Sequence, residues 1–502
     1  MQRISVNSLL ILIIALALTI SASAKLTAPR AGKSVRGATP PNEVNIVINP
    51  NVTVSNLNSA PVGLVLNQMV DGVLPLNSLE KAVRMSGAKR LRFPEGETAD
   101  NYYFTDPSTL TAPNPATHQM AYGAWWPANT TIADASGHFN HGLDFDQFMS
   151  VIKATGAIPN VVLCYPCVDK VMALKMAKAW VKYSKDKGYD VLDWEIGNET
   201  DLYYPNLTDL YPITVSEYAK DVIEWSAVLK AIDPRVKIGA NGYTTAWFRS
   251  LLTYKHPTLE TYGAQAIDFL VVHDYPMYHL SFSAYKNNQN RELGSAVQTA
   301  VDALNTAAST VDVSKIRIAV TEYNAMNFTS KDPNNLALAL MIIDQISDIL
   351  KWSQVGYVEL WNSRYTDNFT ATSPQASDAF TPTNQLHASG LALSVLSHFL
   401  KDRVVGISGG TSSLSAFGSV ANATGEIDLI LINRSNFIQA VAFIVKGSTG
   451  PISSIRYSFR GTGPTDFSPV FNAEGTAIHS NSPTLRFSVP ATSIVILKLL
   501  AG

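Results

Sequence analysis

An α/β fold, a (β/α)8 TIM barrel followed by an all-β sandwich, is predicted by three features of this 502-residue chain. Strand-like apolar runs alternate with amphipathic helical stretches from Val62 to Leu400, the pattern of a parallel barrel. Two of those runs, VLDWEIGNE ending at Glu199 and IRIAVTEYN containing Glu322, stop at a carboxylate. Beyond residue 402 the texture changes to short alternating runs separated by Gly, Ser, Thr and Pro, as in a sandwich.

In chain order, residues 1–24 read as a signal peptide. Arg3 supplies the basic start, Leu9 to Ile20 the apolar stretch, and Ala22-Ser23-Ala24 the small residues before a cut at Lys25. Residues 25–42, rich in Pro, Gly, Ala and basic residues, read as a flexible leader. The segment 43–60 carries EVNIVINP, a strand expected to join the sandwich. Residues 61–402 form the barrel. Its eight expected strands begin at Val62, Lys89, Ile158, Val191, Val236, Ile267, Ile316 and Val355, and the two that carry Glu199 and Glu322 are apolar and β-branched, as buried strands are. Helical periodicity lies between them, as in LDFDQFMSVIKATG, VSEYAKDVIEWSAVLKAI and LALALMIIDQISDILKWS. LALSVLSHFL, from Leu391, closes the barrel. Residues 403–502 form the sandwich, and its last run, SIVILKLL, is continuously apolar and therefore expected to be buried on both faces.

The composition bounds the function. The chain is 46% apolar and 16% charged with a net charge of −2, so a large core is available and no basic stripe points to nucleic acid. The N-terminal apolar run is short for a membrane span, and no second long one exists. A secreted or extracellular protein, in a cell wall or a lysosome-like compartment, is expected. Eight Asn-x-Ser/Thr sequons agree with that route, although Asn198 lies inside the WEIGNE string, where glycosylation is not expected. The only cysteines, Cys164 and Cys167, read as a local disulfide or two thiols at a strand end. No second CxxC or His-x-x-x-His completes a zinc site.

Glu199 and Glu322, delivered by two strands to one mouth, are the pair that glycoside hydrolysis requires. One protonates the leaving oxygen and the other attacks the sugar or activates water. By strand alternation Glu195, Gly197 and Glu199 share a face, which places Glu195 one layer deeper as a buried, hydrogen-bonded carboxylate. Asn198 offers an amide to a sugar hydroxyl. Arg92, ending the second barrel strand, offers a cation to the nucleophile or a salt bridge to Glu195 or Glu359. His273 and Tyr275 share a face on the sixth strand, either bonded to the nucleophile or packed at the rim. Trp361 ends the eighth strand, a sugar-stacking platform or a core Trp. Trp125 and Trp126 lie in the long loop after the second strand.

WEIGNE at Trp194–Glu199 resembles the acid/base motif of clan A retaining glycosidases, and VTEYN at Val320–Asn324 resembles their nucleophile strand. LRFPEGETAD, from Leu91, is similar to the second-strand motif of the heparanase-like family, with Pro94 and Glu95 where that family usually carries two glycines. WEIGNE is also similar to the clan's α-L-arabinofuranosidases. The resemblance implies Glu199 as acid/base, Glu322 as nucleophile, Asn198 as ligand of the sugar 2-hydroxyl, and Tyr275 or His273 as orienting the nucleophile. The expectation is a secreted retaining O-glycosidase acting on a polysaccharide or glycan, needing no cofactor or metal. The alternative is a catalytically silent carbohydrate-binding protein on the same fold, for which neither glutamate would be required.

Overall fold

The structure, a computed structural model, describes residues 43–68, 70–102, 104, 142–165, 170–200, 213–275, 282–286, 295–325, 334–364 and 378–499. The signal peptide, the leader, Trp125, Trp126 and Cys167 lie outside them.

Eight parallel strands close a barrel: β2 (Val62–Val65), β3 (Arg90–Phe93), β4 (Ile158–Leu163), β5 (Asp193–Ile196), β6 (Lys237–Asn241), β7 (Phe269–Asp274), β8 (Arg317–Tyr323) and β9 (Val355–Leu360). All eight expected runs enter this barrel. Each strand is shorter than its run; six of the runs continue past the strand into the loop at the mouth, whereas those at Lys89 and Ile316 lose only their first residue. The helices between strands start where side chains can cap them. Asp144 and Gln147 form a reciprocal capping box at helix Phe145–Thr155, and Thr214 and Glu217 do so at helix Val215–Ile232, satisfying amides that the first turn leaves unpaired.

The second unit of architecture is a nine-stranded sheet. Its chain order begins with β1 (Val44–Asn56) and continues after the barrel with β10 (Arg403–Gly409), β11 (Leu414–Val420), β12 (Ile427–Asn433), β13 (Gln439–Val445), β14 (Ile452–Arg460), β15 (Val470–Ser480), β16 (Thr484–Val489) and β17 (Ser493–Leu499). The spatial order is β15-β14-β17-β12-β11-β10-β1-β13-β16. β1 runs antiparallel to β10 and parallel to β13, so the segment before the barrel is stitched into the sheet that follows it. β10 and β11 share only the Arg403–Val420 and Val404–Ser419 pairs. There the sheet folds on itself, and Ile46, Ile48, Leu429, Leu431, Val441, Phe443, Val495 and Leu497 fill the space between its halves.

Alternation divides β12 and β17 between two cores. Leu429, Leu431, Val495 and Leu497 face the sandwich interior, while Ile430, Ile432, Ile494 and Ile496 belong to the core continuous with the barrel helices. That is why SIVILKLL has no polar face. A buried polar knot crosses the same boundary. Asp344, on helix Leu336–Ile349, accepts from Arg434 Nη1 at 2.5 Å, Tyr285 at 2.6 Å and Ser415 at 2.7 Å.

Among the described residues no helix is long and apolar enough to cross a membrane. Of the sequons within them, Asn51 and Asn422 are exposed, whereas Asn198 and Asn433 are buried. Cys164 is disulfide-bonded, and the sequence holds one other cysteine, Cys167.

Candidate active site

Strand geometry accounts for the floor of the mouth. In a parallel barrel every strand is buried on both faces, so a polar residue in an apolar run must find a partner inside the protein. Arg92 of β3, Asn160 of β4, Glu195 of β5 and Glu359 of β9 are all fully enclosed, at 0% exposure. Arg92 donates to Glu195 through Nε at 3.2 Å and Nη2 at 2.9 Å. Asn160 Nδ2 bridges Glu195 at 2.6 Å and Glu359 at 2.9 Å. Burial pushes the Glu359 carboxyl up to about 8, with the neighbouring Glu195 charge acting in the same direction and Arg90, Asn160 and Arg92 opposing it. Burial also opposes the Arg92 charge, but Glu195 and Glu322 more than offset that, and its pKa lies above the ordinary arginine value.

Arg92 links this floor to the reactive layer. Its Nη1 donates to Glu322 Oε1 at 2.8 Å and its Nη2 to Asn198 Oδ1 at 2.9 Å. The Tyr275 hydroxyl donates to Glu322 Oε2 at 2.7 Å. Both oxygens of Glu322 are therefore held by donors, which fixes the group in one orientation. Burial, then the charges of Glu322 and Glu199, push the Tyr275 phenol well above its ordinary range, so it stays a donor.

Glu199 is presented differently from the expectation of a straight strand. β5 ends at Ile196, and both Gly197 (φ 75°) and Glu199 (φ 46°) are left-handed. A Cβ on Gly197 would lie 2.6 Å from the Tyr165 carbonyl oxygen, so glycine is required there. Alternation from Glu195 does not reach Glu199; a turn sets it. Asn241, at the end of β6, holds that turn, donating to the Ile196 and Gly197 carbonyls at 3.0 Å each and accepting from Thr200 N at 2.8 Å.

Tyr275 or His273 was expected to orient the nucleophile. The structure gives them different partners. His273 Nδ1 lies 2.7 Å from Glu199 Oε1 and 3.5 Å from Glu322 Oε2, which places the imidazole between the carboxylates and closer to Glu199. Burial alone would lower the His273 pKa, but the Glu322 charge and the hydrogen bond and charge of Glu199 prevail, and it is raised. Glu199 keeps 18% of its side chain exposed against 6% for Glu322, so Glu199 has the better access to a departing group or to water.

One oxygen from each glutamate and a ring nitrogen of His273 lie within 4.8 Å of one another. Among the described residues this trio is the only group with the spacing to hold a metal ion. An ion bound through Nδ1 would have to replace the His273–Glu199 hydrogen bond. Trp361 is 6% exposed, and its ring meets that of Tyr275 edge to face at 6.3 Å, so it lies beside the reactive layer.

Sequence reasoning overlooked three residues here. Asn160 was visible as the lone amide in IPNVVLC, and Asn241 as the amide ending VKIGAN. Gly96 carried no signal of its own. A Cβ there would stand 2.4 Å from Glu322 Oε1, so this position has to be glycine for Glu322 to occupy its place.

No family model matches the chain. A probable α-L-arabinofuranosidase C of Aspergillus fumigatus is 24% identical over 209 aligned residues, covering 37% of this chain and 37% of that protein. The match thus spans little more than a third of the curated relative. Solved structures share the fold over nearly the whole length. An α-L-arabinofuranosidase from Thermotoga maritima, solved with arabinose, superposes with a TM-score of 0.69 at 18% identity over 91% of this chain and 100% of its own. An arabinofuranosidase from Xanthomonas axonopodis pv. citri gives 0.67 at 14% identity over 91% and 99%. A xyloglucanase from Paenibacillus polymyxa gives 0.63 at 13% identity over 92% and 100%. Of the two families that the motifs resemble, the arabinofuranosidases are the ones represented among these structures.

Proposed function

We propose that this chain is a secreted glycoside hydrolase that retains anomeric configuration, closer to the arabinofuranosidases than to the heparanase-like enzymes. The observation that carries the reading is the unequal treatment of two adjacent carboxylates. Glu322 is fixed by Arg92 and Tyr275, and the more exposed Glu199 is bonded to an imidazole. The approach of their oxygens to within 4.8 Å favours the roughly 5–5.5 Å carboxyl spacing of retaining enzymes over the roughly 6.5–9.5 Å that leaves room for water in inverting ones.

In this reading a Glu322 oxygen bonds to the anomeric carbon as the carbon–oxygen bond to the leaving group breaks. Glu199 gives its proton to that leaving oxygen. Glu199, now a carboxylate, takes a proton from water as the water oxygen bonds to the anomeric carbon, and the ester to Glu322 breaks. Asn198, anchored by Arg92, is placed to bond the 2-hydroxyl, and Trp361 to lie under the ring. The arabinofuranosidase likeness and the Thermotoga arabinose complex make α-L-arabinofuranosides the first substrates to try.

The test is a panel of aryl glycosides that includes arabinofuranosides, xylosides, glucosides and glucuronides. A burst of aryl alcohol, followed by proton NMR of the first-formed sugar, should reveal the retained anomer. An inverted product would end the retaining assignment, and no release from any member would leave the carbohydrate-binding alternative standing.

A further inference from the structure

We infer that Tyr243, on the rim beside the proposed acid, is the platform for the leaving-group sugar, so that the mouth selects bonds with carbohydrate on both sides. This deepens the hydrolase reading above and rests on it.

The residues on either side fix the rim at this point. Only Gly242, Tyr243 and Thr244 separate β6 from the helix Thr245–Thr253. The Asn241 carbonyl accepts from Trp247 Nε1 at 3.0 Å. The Thr244 hydroxyl oxygen accepts from Trp247 N at 3.1 Å and so caps the helix. Gly242 packs under the same indole, and a Cβ there would stand 2.4 Å from Trp247 Cδ1. On the strand side, Asn241 N donates to the Tyr218 hydroxyl at 3.1 Å, which donates to the Ile196 carbonyl at 2.7 Å. A turn tied down in this way presents its middle residue with little ordering left for a ligand to impose.

That middle residue is Tyr243, and it is 58% exposed. Among the described residues no hydrogen bond, ion pair or ring contact engages it. Two other aromatic side chains there are more than half exposed, Phe437 and Phe467. Both belong to the sandwich, so Tyr243 is the barrel's own. It follows a strand at the C-terminal face, where the loops of such barrels build their binding sites.

Its place relative to the two glutamates says which sugar it meets. β5 and β6 are neighbours in the barrel, as are β8 and β9. Glu199 follows β5, and Asn241 holds the Glu199 turn by accepting from Thr200 N at 2.8 Å. Tyr243 is two residues beyond Asn241, a span of about 7 Å at most. Glu322 lies on β8, and Trp361 follows β9. β6 and β9 stand three strands apart in a ring of eight, close to opposite. The mouth thus carries one aromatic on the nucleophile's side and another on the acid's side. In the proposed reaction the nucleophile bonds the sugar that stays, and the acid serves the oxygen that leaves. Trp361 therefore falls to the retained sugar and Tyr243 to the departing one. An aromatic ring offers a broad apolar face for the sugar ring, and the phenol adds a donor and an acceptor for its hydroxyls.

The experiment lets acceptors compete for the glycosyl-enzyme formed from an aryl glycoside that the panel above shows to be cleaved. Methyl β-xyloside, methyl α-arabinofuranoside and methyl β-glucoside each compete with methanol, in the wild type, Tyr243→Phe and Tyr243→Ala. All attack the same carbon of one intermediate, so a merely structural change alters every transfer alike. Mole for mole, the wild type should transfer to at least one methyl glycoside in preference to methanol. Tyr243→Ala should lower that ratio by about tenfold, and Tyr243→Phe, which keeps the ring, by less than about threefold. A wild type that prefers methanol to all three glycosides would overturn the inference. So would a folded Tyr243→Ala protein with an unchanged ratio, or a Tyr243→Phe ratio as low as that of alanine. A second readout needs no turnover. In a Glu322→Gln background, calorimetry should show xylotetraose or arabinotetraose bound about tenfold more weakly after Tyr243→Ala. Binding of neither, or equal binding with and without Tyr243, would also overturn it. Oligosaccharide binding that depends on Tyr243, without hydrolysis of any glycoside, would remove the hydrolase reading and leave the platform in place.

Discussion

The Arg92 guanidinium donates to Glu322 Oε1 at 2.8 Å from a position with no solvent exposure of its own. The same group holds Glu195 through two further nitrogens. One cation therefore balances a structural and a reactive carboxylate, and neither can lose it without being left charged and buried.

Arg92→Met should accordingly lower stability by about 3–5 kcal/mol, the usual cost of removing one partner of a buried pair, as measured by urea unfolding. Arg92→Lys keeps the charge but not the fork. It should fold with a smaller loss and still reduce kcat by about 100-fold, the scale of losing a preorganised electrostatic contact. Wild-type kcat in the lysine variant would show that the bidentate geometry is unnecessary.

The two glutamates should separate by leaving group. Glu322→Gln should abolish turnover on every substrate, since among the described residues no other carboxylate is held by Arg92 and Tyr275 in the place of the proposed nucleophile. Glu199→Gln should retain much of the rate on aryl glycosides with acidic phenols, which depart with little protonation, and lose it progressively as the phenol becomes more basic. A plot of log kcat/KM against phenol pKa checks this. Parallel lines for the wild type and Glu199→Gln would reject the assignment of the acid.

His273 should report on the alkaline limb. Its pKa is raised, so its cation is present below that value and lost as pH rises through it. That cation stands 2.7 Å from Glu199 and favours the deprotonated glutamate. In His273→Asn this influence is gone, so Glu199 should hold its proton to higher pH. The alkaline limb of kcat/KM should move upward even as the maximum falls. A downward shift would place His273 outside the proton balance of the acid.

Much of this arrangement was readable in the residues before any coordinates. The eight strand-like runs and the two that carry a glutamate follow from burial and periodicity, which local sequence encodes. So does the two-faced burial of β17. Partner choice was less readable. His273 and Tyr275 are two residues apart, yet they bond different glutamates, because the β7–β8 register shifts between Val272 and His273 and Glu199 sits on a left-handed turn. Neither a register shift nor a non-glycine residue at positive φ leaves a compositional trace. Gly96 was hidden for the same reason, since its requirement comes from Glu322, 226 positions away (322 − 96).

Glu359 should impose a pH dependence on stability. Its folded value of about 8 lies above that of an unfolded glutamate, about 4.3. The native state therefore holds this proton more tightly, and the contribution is fully present below about pH 4.3 and lost as pH rises to about 8. Glu359→Gln cannot ionise and keeps an acceptor for Asn160 Nδ2. The variant should show a smaller fall in melting temperature between pH 5 and pH 8 than the wild type. An identical fall would mean that another buried group, such as Asp428 with its carboxyl pushed up to about 6 by burial, dominates that window.

The sandwich should prove inseparable from the barrel, and β17 provides the test. Ile496 is fully buried against the barrel side, and Leu497, next to it, is fully buried in the sandwich interior. Ile496→Ala and Leu497→Ala each remove a large side chain from a filled site, so each should cost about 2–5 kcal/mol. If the two cores unfold as one unit, calorimetry should show a single transition lowered by either change. Removing the whole strand should expose the barrel face of Ile430 and Ile432 together with the opposite face of Leu429 and Leu431, and the truncated chain should lose solubility. Two separate transitions, with Leu497→Ala moving only one of them and activity following the other, would show that the barrel stands without its sandwich.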